Sequence, residues 1–71
     1  MKFRDFIRIL RQHGFELDRQ EGSHRTYKGY VAGRIRIVTV ACHNEGDDIL
    51  NKTLASMIRQ SGLDKRLFRK R

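Results

Sequence analysis

Residues 15–41 read FELDRQEGSHRTYKGYVAGRIRIVTVA, and the fold turns on how this stretch divides. Phe15, Leu17 and Arg19 alternate with Glu16, Asp18 and Gln20, the period of a half-buried strand. Glu21-Gly22-Ser23 is a turn signal, because glycine supplies backbone conformations that other residues resist. A second strand is expected from His24 to Tyr30, and Ala32-Gly33 marks another turn. Residues 34–41 are rich in β-branched side chains, which favour a pleated strand. Ile35 and Ile37 share one face of it and Val38 and Val40 the other. Both faces are therefore partly covered, or the strand carries a bulge.

Outward from this core, the period changes to that of a helix. Phe3, Phe6, Ile7 and Leu10 form one apolar stripe, so residues 3–13 are expected to be helical. Arg4, Arg8 and Arg11 lie off the stripe, and Gly14 is placed to end the helix in a left-handed conformation. After the strands, residues 43–48 form a polar loop around Gly46. A second helix is expected over about 50–61, with Leu50, Leu54, Met57 and Ile58 as its stripe. Asp48 or Asn51 is the expected cap of its start and Gly62 its end. Asp64 is set to cap one more short turn carrying Leu67 and Phe68, and Arg69-Lys70-Arg71 to fray.

The predicted architecture is therefore α+β, in the order α-β-β-β-α. Three strands joined by short turns make an antiparallel sheet, with both helices on one face. A chain of 71 residues holds one domain, 1–71, with a basic C-terminal tail at 64–71. Any site on so small a unit is shallow, which favours a polymeric substrate over an enclosed metabolite.

Sixteen Lys and Arg oppose eight Asp and Glu, a formal net charge of +8. Residues 22–40 hold Arg25, Lys28, Arg34 and Arg36 and no acid. A basic face built this way attracts polyanions, nucleic acid before an anionic membrane. The single cysteine, Cys42, cannot form an internal disulfide. The start, Met1-Lys2-Phe3-Arg4-Asp5, is charged at once and lacks a signal-peptide core, so a cytoplasmic location is expected. Metal ligation is not expected, since three scattered His and one Cys show no ligand spacing.

Tyr27, the large aromatic of the second strand, is its natural inward residue. His24 lies an odd number of positions away and faces outward with Thr26 and Lys28. Imidazole titrates near neutrality and moves protons in either direction. RNA carries its own nucleophile, the 2′-hydroxyl, so cleavage asks only for positioning, a proton carrier and cations. His24 with Arg25, Lys28 and Arg36 supplies those types, although a surface histidine beside Gly-Ser is more often just a turn residue. His13 suits the dipole at the end of the first helix. His43 ends the third strand, where it could approach His24. Cys42 and His43, adjacent on a strand, point apart and make a poor thiol–imidazole pair.

Glu21-Gly22-Ser23-His24-Arg25-Thr26-Tyr27 resembles the Gly-Ser-His-x-x-aromatic signature of HicA-type toxins. Val38-Thr39-Val40 with His43 is similar to that family's third strand, and Thr53-Leu54 through Gln60-Ser61-Gly62-Leu63 to its second helix. His13-Gly14-Phe15 also matches. The chain departs from the family in lacking proline after the third strand and in a longer, more acidic loop at 43–48. The resemblance implies a fold like the double-stranded-RNA-binding domain and a ribonuclease that cuts messenger RNA. It implies that His24 is catalytic and that a HicB-type antitoxin binds and blocks the toxin. Gly22 and Ser23 would shape the turn, Arg25, Lys28 and Arg36 would hold phosphate, and no metal or cofactor is needed. The alternative is a module of the same fold that grips RNA without cutting it.

Overall fold

A computed structural model describes residues 1–69. Helix α1 spans Phe3–Gln12, strands β1, β2 and β3 span Glu16–Glu21, His24–Val31 and Arg34–Ala41, and helix α2 spans Asn51–Ser61. A 3₁₀ turn over Lys65–Phe68 follows. The sheet is antiparallel in the order β1-β2-β3. This is the expected α-β-β-β-α arrangement of a double-stranded-RNA-binding-like fold. Tyr27, Val38 and Val40 are buried on the covered face, while Tyr30, Ile35 and Ile37 are exposed on the other. The α1 stripe, Phe3, Phe6, Ile7 and Leu10, packs into the core with Phe15, Met57 and Phe68.

The sheet's irregularity lies in β1, where the register shifts between Leu17 and Arg19 and leaves Asp18 as the extra residue. The third strand pairs without a break from Arg34 to Ala41, so the mixed pattern of β3 has another source. Ile35 and Ile37 are simply left exposed, each about half accessible.

The two hairpins use different turns. At Ala32-Gly33 both φ angles are positive, 53° and 77°, the backbone of a type I′ turn. At Gly22-Ser23 only Gly22 is positive, at 58°, as a type II′ turn requires. Glycine followed by serine is thus a conformational fit, and it sets the start of β2 at His24.

Both helices start where the sequence puts them, but the cap of α2 differs from expectation. Neither Asp48 nor Asn51 caps α2; Leu50 holds the cap position without a side-chain hydrogen bond. Leu50 is also 77% exposed, so the stripe that packs on the core begins at the partly buried Leu54. The reason is the path of the 43–48 loop, which is committed to α1 instead. The Phe3 and Arg4 amides, unsatisfied within their own helix, donate to the carbonyls of Asp47 and Glu45 at 3.0 Å each. The Ile49 amide donates to Met1 at 2.8 Å, and Lys2 pairs with Asp48 at 3.6 Å. Helix ends follow the sequence. Gly62 takes φ 71° after α2 and Gly14 φ 87° after α1. Asp64 accepts from the Arg66 amide at 2.9 Å. Of the three residues expected to fray, Lys70 and Arg71 lie outside the described residues.

Candidate functional site

His24 begins β2 and is exposed. Its register partners are Glu21 on β1 and Ala41 on β3, and paired residues of an antiparallel sheet share a face. The open face therefore reads, row by row, Glu21–His24–Ala41, then Arg19–Thr26–Thr39, then Glu16–Lys28–Ile37, with Tyr30–Ile35 beyond. Lys28 is on the His24 face, as expected, about 13 Å along the strand. Gly22 and Ser23 form the turn that presents the histidine.

Arg25 and Arg36 are not brought to His24. Both alternate to the covered face. Arg25 reaches the acidic loop, where its Nη1 donates to Glu45 Oε2 at 2.7 Å, with only 19% of its side chain exposed. That hydrogen bond raises the guanidinium pKa, with a smaller contribution from Tyr27. Arg36 crosses to the end of α2, where Gly62 leaves room for it. A Cβ at Gly62 would stand 2.6 Å from Arg36 Nε. The base-rich run 22–40 thus splits between two faces, because bases at odd and even positions of a strand point apart. Sequence reasoning named the run and passed over Glu21 and Arg19. Their signal lies in the hairpin register, which the Gly22-Ser23 turn sets.

The remaining candidates have plainer roles. His13 Nδ1–H donates to the Ile9 carbonyl at 2.9 Å at the end of α1. His43 follows β3 beyond Ala41 and is exposed. Cys42 is 2% exposed; burial pushes its thiol pKa up and keeps it protonated. Among the described residues, no three His, Cys, Asp or Glu side chains cluster as metal ligands. A shallow groove of about 430 Å³ runs along α1, lined by Arg4, Ile7, Arg8, Arg11, Gln12 and Glu45. It belongs to the helical layer, not to the face that carries His24.

A family model described as the HicA toxin of bacterial toxin–antitoxin systems matches residues 3–63. The chain belongs to the HicA toxin family. The match runs from the first residue of α1 to just past α2, so it takes in the sheet, the Gly22-Ser23 turn and His24. It stops short of the 3₁₀ turn, although Phe68 from that turn is part of the core. A HicA toxin is one half of a toxin–antitoxin pair, so a protein partner is implied. No curated protein matched the chain. Among the described residues no helix is long and apolar enough to cross a membrane.

Proposed function

We propose that this HicA toxin is an endoribonuclease that cuts messenger RNA in the cytoplasm, with His24 as the residue that moves a proton at the scissile phosphate. The observation that carries the reading is the exposed His24 on the uncovered sheet face, inside the span that matches the family. Gly22 and Ser23 hold the turn. Lys28, with Arg19 one row from His24, supplies cations for the phosphates on either side of the cut. The 2′-hydroxyl serves as nucleophile, so the chemistry requires no metal or cofactor. Arg25 and Arg36, aimed at the helical layer, are better suited to holding the 43–48 loop and the end of α2 than to gripping substrate. The partner is a HicB-type antitoxin, acidic where it meets a chain of net charge +8.

The test is inducible expression of the wild type and of His24→Ala, with growth and total RNA followed in both. The wild type should arrest growth and shorten messenger RNA, and His24→Ala should do neither while keeping its melting temperature. A folded His24→Ala protein that still degrades RNA would sink the assignment.

A second reading has its own support. Arg4, Arg8 and Arg11 recur at helical spacing along the α1 groove. A module that binds RNA through its helical layer, without cutting, would use such a stripe. Wild-type protein that binds RNA and leaves it intact favours this reading.

A further inference from the structure

We infer that Glu21 is the second proton-transfer group of the site, the base to the acid of His24; this rests on the ribonuclease reading above. The two residues close the Gly22-Ser23 hairpin and are direct register partners. Both are exposed, and both stand on the open face. Partners of this kind hold their Cβ atoms roughly 4.5–5.5 Å apart. Among the described residues neither side chain is tied up in an ion pair, unlike Asp5, Glu45, Asp48 and Asp64. Two free side chains, side by side at a turn and open to solvent, can close on one phosphodiester from two directions. Each needs only to come within hydrogen-bond reach of its own oxygen.

The chemistry of the two groups sets the roles. A glutamate carboxylate at neutral pH only accepts protons, whereas an imidazolium donates them. Glu21 takes the proton of the 2′-hydroxyl as the O2′–P bond forms. The P–O5′ bond breaks, its electron pair passes to O5′, and His24 gives that oxygen its proton. The products are a 2′,3′-cyclic phosphate and a 5′-hydroxyl end. Proton exchange with water then restores both side chains. The charged groups that share this face are Arg19 one row away, and Glu16 and Lys28 in the row after it. His43 lies beyond Ala41 at the same end of the sheet. The helices cover the opposite face and contribute none.

A purely structural role is the competing explanation, in which Glu21 and His24 steady the hairpin as a cross-strand pair. The experiment separates the two with purified wild type, Glu21→Gln, Glu21→Asp and His24→Ala. The substrates are an RNA oligonucleotide and its analogue with sulfur replacing the bridging O5′ at the cleaved linkage. Sulfur leaves without needing a proton, so the analogue removes the demand for an acid only. Glu21→Gln should lower kcat by about 100-fold or more with KM unchanged or lower and the melting temperature held. It should also lose the acid limb of the pH–rate profile, and Glu21→Asp should recover part of the rate. The sulfur analogue should restore His24→Ala and leave Glu21→Gln slow. An active wild type whose Glu21→Gln variant keeps its kcat and acid limb overturns the inference alone. So does an analogue that restores Glu21→Gln instead of His24→Ala. A wild type that cuts neither substrate overturns the ribonuclease reading and this inference with it.

Discussion

At the scale of single residues, two positions in β2 and its turns carry conformational demands that are directly testable. Ala32 has φ 53°, a left-handed backbone that an alanine Cβ resists. Type I′ turns favour Asn or Gly at this position. Ala32→Asn should therefore stabilise the protein by about 0.5–1 kcal/mol, seen as a melting temperature several degrees higher. Gly29 is the opposite case. A Cβ there would lie 2.7 Å from Cγ of the Phe15 ring, and Phe15 is 1% exposed with no room to retreat. Gly29→Ala should cost roughly 1–3 kcal/mol by overpacking. Phe15→Leu should recover part of that loss in a double-mutant cycle, a coupling that independent sites would not show. His24 belongs to the same scale. Its outward face was legible from Tyr27 alone, since alternation along a strand needs no knowledge of the partner strands. Glu21 was not legible, because its nearness to His24 depends on a two-residue turn and a register that only pairing reveals.

At the scale of elements, stripes and glycine stops were readable because they depend on spacing within one segment. The helix starts were readable in position but not in how they are capped, because backbone carbonyls from a distant loop satisfy α1 and α2 has no side-chain cap. For β3 the sequence left a bulge or two partly covered faces open; the strand pairs without a break, and the bulge sits in β1, where Asp18 interrupts an alternation that looks regular in sequence. The 3₁₀ turn after α2 shows how much a short terminal element can contribute. Phe68 is 4% exposed, and its ring stacks on Phe6 with centroids 5.0 Å apart. Phe68→Ala should cost about 3–5 kcal/mol, measured by urea unfolding. Removing residues 64–71 should be at least as damaging, although this segment lies beyond the family match. The turn also has a pH signature. The Arg66 guanidinium and amide hold the Asp64 carboxyl down at about 2. A depressed carboxyl adds stability above its unfolded value of about 3.9 and loses it as pH falls through the folded value. The Phe6 and Phe68 ring resonances should stay shifted at pH 4 and begin to collapse toward free values near pH 2. Asp64→Ala should abolish that dependence and lower the melting temperature at neutral pH.

At the scale of the whole molecule, net charge and its distribution tell different stories. A charge of +8 on 71 residues favours a polyanionic partner. Yet the face that carries His24 is close to balanced, with Arg19 and Lys28 against Glu16 and Glu21. The excess lies on α1, around Arg25 and Arg36 on the covered side, and in the tail. A catalytic face needs few cations, set where charge develops on the phosphate, whereas a grip on the backbone needs many. The two readings therefore differ in which layer sets the salt dependence of RNA binding. On a single strand, the slope of log affinity against log salt changes by about 0.7 for each phosphate the protein no longer neutralises. If substrate lies on the open sheet face, Arg19→Ala and Lys28→Ala should each flatten the slope by about that amount and slow cleavage. The triple variant Arg4→Ala, Arg8→Ala, Arg11→Ala should then leave the slope near wild type. If RNA is held by the helical layer, the triple variant should flatten it by about 2, and the two sheet variants should scarcely change it. Fluorescence anisotropy with a labelled single-stranded RNA, run with each protein in its His24→Ala background so that the probe survives, reads both outcomes from one titration series.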